Sequence, residues 1–296
     1  QDCGMIASIV DPDLCMLHTH DKTGNAKLVC LLTKHVDDVK IAGEKETVLW
    51  VLRQLQKVFG PLKIQWNSFT NCGVRHIQDP KTKECSLDQI EYANNLRPIA
   101  HPEARTRNND KECGPELHKL YQSLLGAVAY LYLTRVDVLV FISACQRHGH
   151  KPSIIHVKRL NTIVKWLQRT PKKLFYRRFT CMNTHLRIIS DAAFKKEEEK
   201  GHALRGVIYL RCTSDTSHNM PAKNSDRDPR GSLRHQVGHE RQVHIHVLEF
   251  LSKSIRHVTR STFSAELHSC CDSADLGILI LLLLHEIQVG SVTKAQ

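Results

Sequence analysis

Leu31-Leu32-Thr33-Lys34-His35-Val36-Asp37-Asp38-Val39-Lys40-Ile41-Ala42-Gly43 is the stretch on which the fold of this chain turns. The apolar run Leu28 to Leu32 reads as a buried strand, and Val39 and Ile41 alternate with polar neighbours as a second. Asp37 and Asp38 then fall at or near the tip of a tight hairpin. Adjacent carboxylates repel, so seating them beside apolar strands is costly unless a cation neutralises them. Mg²⁺ is the natural candidate, because it takes carboxylate oxygens together with water and substrate phosphates. Spacing alone leaves a plainer alternative open, a solvated Asp-Asp turn.

Working outward, Thr47 to Phe59 carries Val48, Leu49, Val51, Leu52, Leu55, Val58 and Phe59 at helical spacing. Thr47 is the expected N-cap and Gly60-Pro61 the stop. Short strands are expected at Leu62 to Trp66 and Gly73 to Ile77, then a turn at Asp79-Pro80 and a helix from Ser86 through Leu96. Residues 98–116 are polar and carry prolines, which marks a linker. Helical spacing returns from Leu117 to Trp166, with Leu120, Leu124, Val128 and Leu131 on one face and Val138 to Cys145 as a buried segment. Val157, Leu160, Val164 and Leu167 form an apolar stripe, and Lys158, Lys165 and Arg169 lie off it as a basic face. Beyond residue 182 the pattern changes to strands at Leu186 to Asp191, Gly201 to Arg211 and Val243 to Leu251. A charged turn at Lys195 to Lys200 and a polar, mobile insertion at 213–243 separate them. A last helix is expected from about Ser261, with Phe263, Leu267, Cys270 and Cys271 as its apolar side.

The chain has 296 residues, enough for more than one core, and its formal net charge is +12. Between Val138 and Ser190 there are eleven Lys or Arg and no Asp or Glu. Trp166, Phe175, Tyr176 and Phe179 interleave with Lys158, Arg159, Lys165, Arg169, Lys172, Lys173, Arg177 and Arg178. Basic side chains neutralise phosphates while aromatics stack on bases or sugars, so this segment is expected to contact nucleic acid. The bland alternative is a solvated helix with core aromatics. Apolar content of 41% argues against a disordered chain.

The eleven cysteines are scattered with no Cys-x-x-Cys pair, which fits buried free thiols in a reducing compartment, cytoplasmic or nuclear, better than a disulfide scaffold. No secretory signal opens the sequence. The run Leu276 to Leu284 is too short to span a bilayer and reads as a buried helix of a soluble protein, so no membrane partner is expected. His235, His239, His244 and His246 raise zinc as an option, but a solvated His-rich loop is the simpler reading.

Five segments in order resemble the pol region of copia-type long-terminal-repeat retrotransposons. Asp11-Pro12-Asp13-Leu14-Cys15 resembles the segment before the catalytic hairpin, and His35-Val36-Asp37-Asp38 stands where the family has Tyr-Val-Asp-Asp. Leu120-Tyr121-Gln122-Ser123-Leu124 through Leu131, with Thr134-Arg135-Val136-Asp137, resembles the block ending in Thr-Arg-Pro-Asp. Ser190-Asp191-Ala192 and Ser261-Thr262-Phe263-Ser264-Ala265-Glu266 resemble two RNase H signatures. The resemblance implies an α+β fold. Residues 1–100 would be a reverse-transcriptase palm remnant, 101–181 a helical thumb or connection, and 182–296 a partial RNase H-like domain. It implies Mg²⁺ as cofactor, held by Asp37 and Asp38 for RNA-templated DNA synthesis and by Asp191 and Glu266 for cleavage of RNA–DNA hybrids. The expected partner is then a primer–template or an RNA–DNA hybrid.

The same resemblance sets limits. The palm of the family uses a third carboxylate on an earlier strand, and Asp2, Asp11, Asp13 and Asp21 lie too close to the hairpin to supply it. The later RNase H aspartate has no natural substitute in Asp272 or Asp275, which share a helix with Glu266. The isolated chain is therefore expected to be inactive, with non-catalytic nucleic-acid binding as the alternative activity.

Overall fold

The computed structural model describes residues 4–22, 24–179, 184–193, 202–213 and 245–290. Among them the fold is α+β, with three antiparallel sheets and six α-helices. The first sheet is a meander of β1 (Ile6–Ala7), β2 (Leu14–His20), β3 (Ala26–His35) and β4 (Asp38–Gly43). Cys30 and Leu32 of β3 bury against Val48 and Val51 of α1 (Lys45–Phe59). The helix begins two residues before the expected Thr47 cap. Glu44 takes the N-cap position without a side-chain bond, and Gly60 at φ 78 ends the helix as expected.

The second sheet corrects two expectations. No strand forms at Leu62 to Trp66; β5 is Ser68–Asn71, paired with β6 (Val74–Gln78). Ser86 does not open a helix, because Cys85–Asp88 is β7, and only Ile90–Asn95 coils as α2. The reason is Asp88, which is buried and accepts from Arg75 Nη2 at 3.0 Å, with Lys173 Nζ at 3.7 Å. Those cations fix the residue in the sheet, whereas a helical path would leave its charge without them. β8 (Leu174–Tyr176) returns from far along the chain to pair with β7.

Between β7 and β8 lies the main core, built by α3 (Pro115–Ala129), α4 (Leu139–Gln146) and α5 (Ile154–Arg169). The expected α5 stripe is correct, with Val157, Leu160, Val164 and Leu167 fully buried. The α3 face is rotated from expectation. Leu117, Tyr121, Leu124, Leu125 and Val128 point inward while Leu120 is exposed. Tyr121 claims the inward position because its hydroxyl donates to the Cys145 carbonyl at 2.8 Å inside the core. The segment 138–145 is only half buried, since Val140 and Phe141 are exposed. Of the expected linker, Pro115 and Glu116 already belong to α3, and residues 98–114 carry only a 3-10 turn at Pro102–Arg105 but are anchored: Asn161 of α5 brackets the Ile99 backbone at 2.7 and 2.9 Å, and Glu103 accepts from the Gly114 amide at 3.0 Å.

The third sheet has the order β11-β10-β9, from β9 (Thr184–Ala193), β10 (His202–Thr213) and β11 (Ile245–Val258). The charged turn at 195–200 and the insertion at 213–243, save Thr213, lie outside the described residues. α6 (Thr262–Val289) covers this sheet, with the Ser261 hydroxyl capping its start by accepting from the Ser264 amide at 3.1 Å. The far end of α6 reaches the first sheet. Buried Glu286 accepts from the Ser8 hydroxyl and from the Ile9 amide.

Two expectations for α6 are overturned. Phe263, Leu267, Cys270 and Cys271 are exposed, and the sheet-facing positions are the small residues Ala265, Ser269, Ser273 and Gly277. Gly277 sits so close to Ile188 that a β-carbon would collide with it, so close approach, not bulk, selects the packed face. The run 276–284 is not a buried helix either. It belongs to a 28-residue helix that is long and apolar enough, by length and composition, to cross a membrane, and most of it is open to solvent. All nine described cysteines are free; Cys30, Cys145 and Cys212 are buried, while Cys72, Cys270 and Cys271 are exposed.

Candidate functional site

β3 and β4 pair from Cys30↔Gly43 to His35↔Asp38, which leaves Val36 and Asp37 as a two-residue turn. Asp37 is thus at the hairpin tip and Asp38 opens β4, both exposed, as the alternation of residues 28–41 implies. Val36 adopts φ 55 and is 91% exposed. A β-branched side chain is strained there and buries nothing in return. No described cation pairs with Asp37 or Asp38. Lys34 of the hairpin pairs instead with Asp13 at 3.4 Å. Asp13 lies at the same end of the sheet, its carbonyl accepting from the Lys34 amide at 3.0 Å.

Asp191 and Glu266 come from β9 and α6, which pack together. Ala192 shares a buried cluster with Ala265 of α6, and Ile188 lies under Gly277. Strand alternation therefore turns Asp191 to the sheet face away from α6, while its carbonyl accepts from Ser269 at 3.4 Å. The fold brings the two segments together but turns the Asp191 carboxylate away from the helix that carries Glu266. Asp272 is engaged by Arg205. Among the described residues no group of three or more His, Cys, Asp or Glu is placed to hold a metal ion. Asp37 with Asp38, and Asp191 with Glu266, are two separate carboxylate pairs, and neither is joined by a third His, Cys, Asp or Glu among the described residues. His235, His239 and His244 lie outside the described residues. His246 is on a strand, stacked on Phe179 at 4.0 Å and bonded to the Arg177 carbonyl at 2.6 Å.

The basic segment divides into two groups. Lys158 donates to the Thr106 carbonyl and to Asn109, both at 2.8 Å. Lys172 pairs with Asp137 at 3.0 Å, Lys173 with Asp88, and Arg177 with Glu84 at 3.5 Å. These cations hold the fold. Arg159, Lys165, Arg169 and Arg178 are exposed and pair with no described acid. Arg159, Lys165 and Arg169 share the solvent face of α5 with Trp166, which is 52% exposed. Phe175 is exposed on β8, while the Tyr176 hydroxyl donates to the Val247 carbonyl and Phe179 packs on His246.

Thr134-Arg135-Val136-Asp137 proves to be a lock. Buried Arg135 holds Asp137 through two bonds at 2.9 and 3.0 Å and donates to the Leu167 carbonyl and the Thr170 hydroxyl at the end of α5. Burial pushes the Asp137 carboxyl up, but the bonds and charges of Arg135 and Lys172 more than reverse this and hold it at about 2. The start of α5 is fixed separately. His156 Nδ1 accepts from the Ser153 amide at 2.9 Å, and burial with the nearby His148 and Arg159 lowers that imidazole to about 4. Spacing had flagged the basic face; a fixed helix and a lock on each end were visible only in the fold.

Comparison with known proteins adds a relationship to this geometry: the chain is distantly related to the Pol polyproteins of retrotransposons. It is 23% identical over 219 residues to the Retrovirus-related Pol polyprotein from transposon RE1 of Arabidopsis thaliana, covering 70% of this chain. The same identity and coverage hold for the polyprotein from transposon RE2 of that plant. The chain spans 14% of the length of either relative. No family model and no solved structure matches it.

Proposed function

We propose that this chain is a stretch of a copia-type Pol polyprotein, running from the palm hairpin into the start of an RNase H-like domain, and that its own activity is to hold nucleic acid. In this reading residues 1–100 derive from the palm, 101–181 from the connection and 182–296 from RNase H. DNA synthesis and hybrid cleavage belong to the intact polyprotein. There, Asp37 and Asp38, and separately Asp191 and Glu266, would each need further carboxylates to serve Mg²⁺. The order of the five segments and the distant relationship to the plant polyproteins support this origin.

The observation that carries the binding activity is the solvent face of α5. Arg159, Lys165 and Arg169 surround an exposed Trp166 with no described acid to compensate them. The cations suit a phosphate backbone and the indole suits a base or sugar face. The test is a fluorescence-anisotropy titration of the full chain with a labelled RNA–DNA hybrid over a salt series. Affinity should fall steeply with salt, and Lys165→Ala and Arg169→Ala should each lower the slope by about one. Trp166→Ala should weaken binding by about 1–3 kcal/mol with the slope unchanged. A salt-independent affinity, or variants indistinguishable from the parent, would sink the assignment.

A further inference from the structure

Arg159, Thr162, Trp166 and Arg169 follow one another along α5 at steps of three and four residues, so they form one exposed row, with Lys165 beside it. The row runs about 15 Å from Arg159 to Arg169, with the indole between the two guanidinium groups. One turn before Trp166 stands the short Thr162, whose hydroxyl donates to the Lys158 carbonyl at 2.9 Å and so spends its proton inside the helix. The turn that carries the indole is fixed at its backbone. The Trp166 carbonyl accepts from the Thr170 amide at 2.9 Å and from its hydroxyl at 2.7 Å. Buried Arg135 ties down the same turn, donating to the Leu167 carbonyl at 3.4 Å and to the Thr170 hydroxyl at 3.2 Å. A ring presented on a backbone already ordered costs little to immobilise on binding.

An indole in that setting binds by its face. It has one N–H donor and no acceptor, which makes it a poor reader of base edges, whereas its flat surface is large and apolar. A paired RNA–DNA hybrid offers no matching surface. Its bases are stacked on one another, its A-form major groove is deep and narrow, and its shallow minor groove displays hydroxyls and base edges. Base faces come free only where nucleotides are unpaired, and there an aromatic ring stacks on them with little regard to sequence. Cations on both sides of the ring suit the phosphates that flank a base so held.

We infer, on the reading of α5 as a nucleic-acid face, that this face takes unpaired nucleotides, a single strand or the overhang of a hybrid, with a base stacked on Trp166 and the neighbouring phosphates on Arg159 and Arg169. The test is an anisotropy titration of the full chain with three labelled probes that share one hybrid duplex. The first is blunt, the second carries a short overhang of mixed sequence, and the third carries the same overhang with abasic sugars, which keeps every phosphate and removes the bases. The base-bearing overhang should bind about tenfold tighter than the other two. Trp166→Leu should erase that difference and leave the salt slope unchanged, while Trp166→Phe should keep most of it. Circular dichroism checks that both variants are folded. Equal affinity of the parent for the base-bearing and abasic overhangs would overturn the inference, as would an advantage that survives Trp166→Leu; in either case binding of the hybrid itself would stand. Failure to bind any of the three probes would instead remove α5 as a nucleic-acid face, and this inference with it.

Discussion

Replacing Asp137 by Asn removes the anion from the Arg135–Lys172 lock while keeping its shape. In the fold Asp137 is three-quarters buried and held at about 2, against an ordinary aspartate value of about 3.9. That difference corresponds to about 2.5 kcal/mol at neutral pH. Because the folded value is the lower one, this stability is complete above about pH 4 and is lost as pH falls toward 2. About half should remain at pH 3. The variant leaves Arg135 charged and buried with only the Leu167 carbonyl, the Thr170 hydroxyl and a neutral amide for company. Native-state hydrogen exchange of the α5 amides is the assay, because α5 opening breaks the lock. At pH 7 the variant should exchange on the order of 50-fold faster than the parent, and the ratio should shrink toward tenfold at pH 3. The His156 cap also weakens in acid, as its unfolded imidazole protonates below about 6.5 while the folded one waits until about 4, but it does so in both proteins and cancels in the ratio. Equal α5 exchange in the two proteins at pH 7, or a ratio that does not change with pH, would refute the assignment of this pair as the lock.

Val36→Gly should stabilise the first sheet by about 0.5–1 kcal/mol, since relief of the positive φ outweighs the added chain entropy; a lower urea midpoint would contradict the strain at the hairpin tip. Gly73→Ala should cost about 2–3 kcal/mol, because the residue has φ 67 and its new methyl would meet the Tyr130 ring, whose hydroxyl donates to the Cys72 carbonyl. An unchanged thermal midpoint would remove the Cys72–Tyr130 contact from the account.

Local periodicity made the hairpin, the α5 stripe and the three strands of the last sheet legible, because in each the pattern repeats over a whole element. It failed where long-range partners decide. Asp88 is fixed in β7 by Arg75 and by Lys173, which arrives 85 positions later, and nothing near Ser86 announces that. On α6 the rule that large apolar residues face the core was inverted by close approach of Gly277 to Ile188, which put Ala265, Ser269 and Ser273 inside and the leucines outside. The basic segment could be counted from sequence, but not divided. Lys172, Lys173 and Arg177 carry the same charge as Lys165 and Arg169, and only the fold shows which ones meet an acid. The acids were legible as residues, but the sheet face that Asp191 takes was not, since strand parity at Ala192 turns it from α6.

The most direct test of the account incubates the full chain with an end-labelled RNA–DNA hybrid and Mg²⁺ at low salt, and reads binding and cleavage on the same samples. The account predicts a hybrid that is retained by the protein and recovered uncut. A hybrid that is cut, with cleavage abolished by Asp191→Asn, or one that is never retained, would contradict it.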